Sequence, residues 1–233
     1  MVSVILLLLI NSLVNGQDYK ADFYKLQSMF KKHPYLSYTV KYKSYDTNLS
    51  KPDTIITAKF ILNGNRVRTK LGSSEIIRND KYHLAIDHDD KVMFVNFSRA
   101  VPIEIGALPR LDSLLTVTKS SVKYRKEGKI GIYTIPLTGE IYKHAEIFFE
   151  AETYTVQKVR FHLYAEDDPF DENRKLTPID PVVEMEFSGF STQQVPDANF
   201  STDKYFMYDA VTKKLTVKRE YEKYEIVNSM QFN

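Results

Sequence analysis

From Tyr35 onward the sequence keeps a period of two, and this constrains the fold more than any other feature. Leu36, Tyr38, Val40 and Tyr42 alternate with Ser37, Thr39, Lys41 and Lys43. Successive side chains of a strand point to opposite faces, so such a run is a strand with one buried face. Ile56, Ala58, Phe60 and Leu62 form the apolar face of a second strand. Asn63-Gly64 supplies a hairpin turn, whose favoured form takes positive φ at both central residues. The chain returns as a third strand, with Val67, Thr69 and Leu71 on one face and Arg66, Arg68 and Lys70 on the other. A one-residue slip would turn the basic set inward, so the register is strongly specified.

Short alternating runs continue at 75–78, 82–86, 92–96, 121–125, 130–137, 145–149, 156–164 and 182–190, and the Tyr-rich tail 199–233 reads as two or three more. Two segments break the period. Tyr19, Phe23, Leu26 and Phe30 lie on one helical face over 18–32, with His33-Pro34 ending the helix. Leu108, Leu111, Leu114 and Leu115 fit a second helical face. Segment 165–181, rich in charge and proline, reads as an exposed loop. No repeat of 20–50 residues and no Gly/Ser linker divides the chain. The expected organisation is a segment 1–16 followed by one β-rich domain, 17–233. Its fold class is α+β: a curved antiparallel sheet, an open half-barrel, covered by helices.

Segment 1–16, MVSVILLLLINSLVNG, reads as a signal peptide. Its apolar run is too short for a bilayer that needs about 20 residues, and Val14-Asn15-Gly16 suits cleavage that leaves Gln17 first. The mature chain is therefore expected in a periplasmic or otherwise exported, soluble fraction. The 233 residues carry 32 Lys and Arg against 30 Asp and Glu, a net charge of +2, which gives no electrostatic footprint for nucleic acid. There is no cysteine. That excludes a disulfide scaffold, a zinc–cysteine site, a cysteine nucleophile and a lipid-modified N-terminal cysteine. Trp is also absent, while Tyr (16) and Phe (14) are abundant enough to fill a β-rich core or to line a ligand cavity.

Motifs for catalysis are missing. No nucleophile elbow, phosphate loop or dinucleotide fingerprint occurs, so no catalytic residue and no cofactor is expected. Asp87-His88-Asp89-Asp90 is the densest set of metal-ligand types, but it sits between two alternating runs, where Asp favours turns. Asp167, Asp168, Asp171 and Glu172 fail the calcium-loop spacing, and Pro169 intrudes. No metal is expected at either place. The Asn-x-Ser sequons at Asn48, Asn96 and Asn199 read as incidental.

The order of elements resembles the LolA/LolB-like superfamily of periplasmic lipoprotein carriers and related lipid-binding proteins. Three stretches carry the likeness: 38–45 with 54–62, then Phe60-Ile61-Leu62-Asn63-Gly64-Asn65-Arg66-Val67-Arg68, then 79–87 with 91–95. The hairpin 145–164 is similar as well. The resemblance implies an export signal, an N-terminal helix and an antiparallel half-barrel wrapped over helices, with Arg66 or Arg68 in the place of the family's arginine. It implies a non-enzymatic carrier of the Gram-negative envelope that shields lipid or lipoprotein acyl chains in an apolar concavity. Tyr38, Val40, Tyr42, Ala58, Phe60, Leu62, Val67 and Leu71 are the residues expected to line it. The alternative from another class is a structural or adaptor protein of an envelope assembly, using the same sheet against a protein partner. A carrier needs an open apolar concavity. An adaptor needs a filled core and an exposed edge.

Overall fold

The computed structural model describes residues 19–45, 50–100, 122–137, 141–164 and 181–232. Segment 1–16, read as a signal peptide, residues 108–115, read as a helical face, and residues 167–172, read as part of a loop, lie outside them.

Helix α1 (Tyr19–Lys31) precedes β1 (Tyr35–Tyr45), β2 (Thr54–Asn63) and β3 (Arg66–Leu71). Next come β4 (Ser74–Arg78), β5 (Tyr82–Asp87), β6 (Val92–Phe97), β7 (Lys123–Glu127), β8 (Ile130–Pro136), β9 (Tyr142–Glu150), β10 (Val156–Leu163) and β11 (Val182–Ser191). The C-terminal part adds β12 (Phe206–Asp209), β13 (Lys214–Val217) and β14 (Glu225–Asn228). Twelve strands form one curved sheet in the order β14-β6-β5-β4-β3-β2-β1-β11-β10-β9-β8-β7, open rather than closed into a barrel. Every neighbouring pair is antiparallel except β14 on β6, while β12 and β13 pair separately as a hairpin.

The register of β1 to β3 follows the alternation. Leu36, Tyr38, Val40 and Tyr42 stand opposite Leu62, Phe60, Ala58 and Ile56, and Val67, Thr69 and Leu71 continue the same face. The turn differs from expectation by one residue. Asn63 pairs with Arg66, so Gly64 and Asn65 are the central residues, and of these only Gly64 has positive φ (57°). A two-residue hairpin with glycine first needs positive φ only there.

Helix α1 lies on this face, called inner below. Phe23, Leu26 and Phe30 pack with the inner residues of β1, β2 and β8 to β11. The helix is locked by polar bonds as well. Asp22, buried in its first turn, accepts from the Tyr133 hydroxyl at 2.6 Å, and Lys25 donates to the Tyr154 hydroxyl at 3.1 Å.

A second core sits on the opposite face. Leu71 pairs with Ser74, so Ile77 of β4 points away from Val67. Ile77, Leu84, Ile86, Met93 and Val95 thus bury on the outer face, under Tyr205, Phe206 and Met230 of the C-terminal segment. This corrects the expectation that helices cover the sheet. Among the described residues one α-helix does so, and only at one end. The other end is covered, on the reverse side, by a hairpin and short turns.

Elsewhere on the outer face, β1 and β7 to β11 carry charge in a line. Lys43, Glu184, Arg160, Glu146, Thr134 and Lys123 are successive register partners across six strands. Glu184 is 2% exposed and meets Lys43 at 3.3 Å, Lys158 at 3.2 Å and Arg160 at 2.8 Å. Burial alone would raise its carboxyl, and the bonds from Arg160 and Lys158 more than reverse that. Glu146 is held at about 2, first by the His162 hydrogen bond and then by Arg125. Its folded pKa is below the unfolded one. Its contribution is therefore present above about pH 4.5 and lost as pH falls toward 2. Wild-type melting temperature should drop across that interval. In Glu146→Gln the drop should shrink by the equivalent of up to about 3 kcal/mol.

Candidate functional site

Past the edge of α1 the inner face keeps apolar residues that neither core covers among the described residues. The register row Phe60, Thr69, Ile76, Ala85, Phe94 crosses β2 to β6. Phe60 is 7% exposed, whereas Phe94 is 51% exposed and Ile76 is also open to solvent. Leu71, beside the row on β3, and Ile56 on β2 are exposed on the same face. At about 4.8 Å between strands, the strip from β2 to β6 spans roughly 19 Å. It is an open surface that adjoins the buried core at Phe60. Isolated exposed apolar residues are ordinary, and a strip of several on one face is a candidate binding surface.

The eight residues expected to line a cavity divide into two groups. Tyr38, Val40, Ala58, Phe60, Leu62 and Val67 are buried in the core that α1 fills. Tyr42 is half-buried and Leu71 is exposed, and these two adjoin the open strip. Ile56 was read from the sequence as part of the same face. Ile76 and Phe94 were not, because the turn at Gly72-Ser73 sets their phase. β3 and β4 pair through that turn, which puts Ile76 opposite Thr69.

Both arginines point to the outer face. Arg68 bonds Glu75 through Nε at 2.6 Å, and Glu75 also accepts from the Tyr205 hydroxyl. Those bonds hold the Glu75 carboxyl low against burial, and the same carboxylate with burial pushes Tyr205 strongly up. Arg66 pairs with Asp197 at 3.0 Å, and its guanidinium lies over the Phe200 ring. The two side chains therefore tie the C-terminal segment to β3 and do not face the strip.

Residues 87–90 form the expected turn. Asp87 Oδ1 accepts from the backbone amides of Asp89 and Asp90, and His88 faces the Tyr224 hydroxyl at 3.0 Å. Among the described residues no group of three His, Asp or Glu side chains is placed to hold a metal ion. A cleft of about 510 Å³ between the β4–β5 turn and the C-terminal segment is lined mostly by polar groups, including Lys81, Asp197 and Asp203. No described helix is long and apolar enough to cross a membrane.

No protein-family model matches this chain, and no curated protein matches it in sequence. Solved structures do. One is a LolA superfamily protein from Nitrosomonas europaea, 12% identical, covering 79% of this chain and 97% of its own, with a TM-score of 0.35. The structural neighbours thus include the superfamily that the sequence resembles. MucB, in the MucA/MucB complex of Pseudomonas aeruginosa, is 10% identical and covers 85% of this chain and 74% of its own, with a TM-score of 0.46. An uncharacterised conserved protein from Thermus thermophilus is 8% identical and covers 91% and 99%, with a TM-score of 0.47. At these scores the likeness is one of sheet architecture, and no residue role passes across it.

Proposed function

We propose that this chain is an exported, non-enzymatic binding protein of a Gram-negative cell envelope, and that lipid or lipoprotein acyl chains lie along the inner-face strip. The observation that supports the reading is the strip itself: Ile56, Leu71, Ile76 and Phe94 face solvent in continuity with a well-filled core. Burying one methylene is worth about 0.8 kcal/mol. A chain of about a dozen carbons on an open face buries roughly half of that surface, which gives about 5 kcal/mol. The corresponding Kd is a few tenths of a millimolar. Such binding is weak enough for transfer to a tighter acceptor, and a multiply acylated ligand would hold longer.

The adaptor reading is favoured by one observation. Helix α1 already shows how this face takes an amphipathic helix, through Phe23, Leu26 and Phe30. A partner helix would use the strip in the same way. Native mass spectrometry of protein purified from its envelope separates the two. Co-purifying lipid at a fixed stoichiometry supports the carrier. A stoichiometric protein without lipid supports the adaptor. The bare chain alone contradicts both.

A further inference from the structure

The hairpin β12–β13 stands apart from the large sheet, and its two faces are chemically unlike. Phe206, Tyr208, Leu215 and Val217 are register partners on the face that packs into the outer core. Met207, 55% exposed, and Thr216 face outward. At the tip, residues 210–213, Val211 is 91% exposed, which is the highest value for any large apolar residue among those described. The tip is held in shape. Asp209 Oδ1 accepts from the amides of Val211 at 2.8 Å and Thr212 at 3.1 Å. Lys213 takes positive φ (53°), a conformation that a side-chain-bearing residue adopts at a cost. Two lysines, Lys213 and Lys214, close the tip against one carboxylate, Asp209.

We infer that this hairpin is a contact site for an anionic lipid surface, with Val211 and Met207 entering the headgroup layer and Lys213 and Lys214 beside the tip pairing with lipid phosphates. A basic surface alone would fit any polyanion. A rigidly presented aliphatic tip beside two lysines fits an interface that is apolar just below a negative surface. Asp209 keeps its negative charge, since the turn's hydrogen bonds hold its carboxyl low, and the two lysines outnumber it. The inference does not depend on what the inner-face strip binds.

The test is co-sedimentation of the mature protein with phosphatidylcholine vesicles, with and without added phosphatidylglycerol. The wild type should sediment with the anionic vesicles and should be released by high salt. Lys213→Gln with Lys214→Gln should lower the partition coefficient by at least about tenfold. Val211→Asp should lower it several-fold at unchanged melting temperature, since that side chain is exposed. Lys126→Gln with Lys129→Gln, two exposed lysines on the β7–β8 hairpin at the opposite end of the sheet, should sediment as the wild type does. Failure of the wild type to bind anionic vesicles would overturn the inference. So would Lys213/Lys214 or Val211 variants that bind like the wild type, or a Lys126/Lys129 variant that loses as much binding as the Lys213/Lys214 one.

Discussion

Phe60→Asp is expected to abolish folding. Phe60 is 7% exposed and stacks on Tyr38, with ring centroids 5.0 Å apart and planes 11° apart. It lies between β1 and β3 on the face that α1 covers, among Tyr38, Ala58, Leu62 and Val67. A carboxylate there leaves water without a cation to meet it. It must either stay charged at high cost or take up a proton and still lack a partner. The aromatic packing is lost at the same time, which alone costs about 3–5 kcal/mol in a truncation to Ala. The sum reaches the whole of an ordinary domain's 5–15 kcal/mol. Phe60→Leu should cost much less, about 1 kcal/mol, because it keeps the apolar character and most of the volume. Urea titration followed by circular dichroism reads both. A Phe60→Asp protein that unfolds with the wild-type midpoint would show that this part of the inner face is not filled.

Gly131→Ala is expected to be the largest effect of any single added methyl group. Gly131 is buried on β8 directly opposite Phe149 of β9. A Cβ at Gly131 would sit 2.5 Å from Phe149 Cζ and 2.9 Å from both Cε atoms. The ring cannot retreat. It is fully buried and stacks on Tyr133 at 5.5 Å and on Tyr154 at 5.6 Å. Those two tyrosines in turn bond Asp22 and Lys25 of α1, so a shift of Phe149 reaches the helix. Overpacking of this kind costs about 2–3 kcal/mol, or roughly 5–10 °C in Tm for a chain of this size. Phe149→Leu made in the Gly131→Ala background should recover part of the loss. A double-mutant cycle measures that coupling. Additive effects would contradict the contact.

The sequence makes β1 to β3 readable because two independent signals agree there. The apolar period selects one face, and a two-residue turn fixes the pairing, so Phe60 opposite Tyr38 and Arg68 on the far side both follow. The turn itself was misplaced by one residue, since Asn63-Gly64 and Gly64-Asn65 both satisfy turn chemistry and only the ladder decides between them. Beyond β3 the signals separate. Ile77, Leu84, Ile86, Met93 and Val95 alternate as well as any other run, but alternation does not say which face of the sheet a strand's apolar set joins. The Leu71–Ser74 pairing flips it, and the apolar phase moves from the inner face to the outer one. The same flip leaves Ile76 and Phe94 open on the inner face, so the part of the candidate site nearest solvent was the part least visible in the sequence. The C-terminal tyrosines are a similar case. Tyr205 and Tyr224 find Glu75 and His88 across more than a hundred residues, and β14 returns parallel to β6, pairings that no local pattern encodes.

Titration of a fluorescent fatty-acid probe into wild-type protein and Phe94→Asp tests the binding surface most directly. Phe94 is 51% exposed, so the substitution should leave the melting temperature within a few degrees of the wild type while placing a charge at the most exposed end of the strip. The account predicts saturable binding to the wild type with a Kd of a few tenths of a millimolar or tighter, and its loss in the variant. A folded Phe94→Asp protein that binds the probe as well as the wild type does would contradict it.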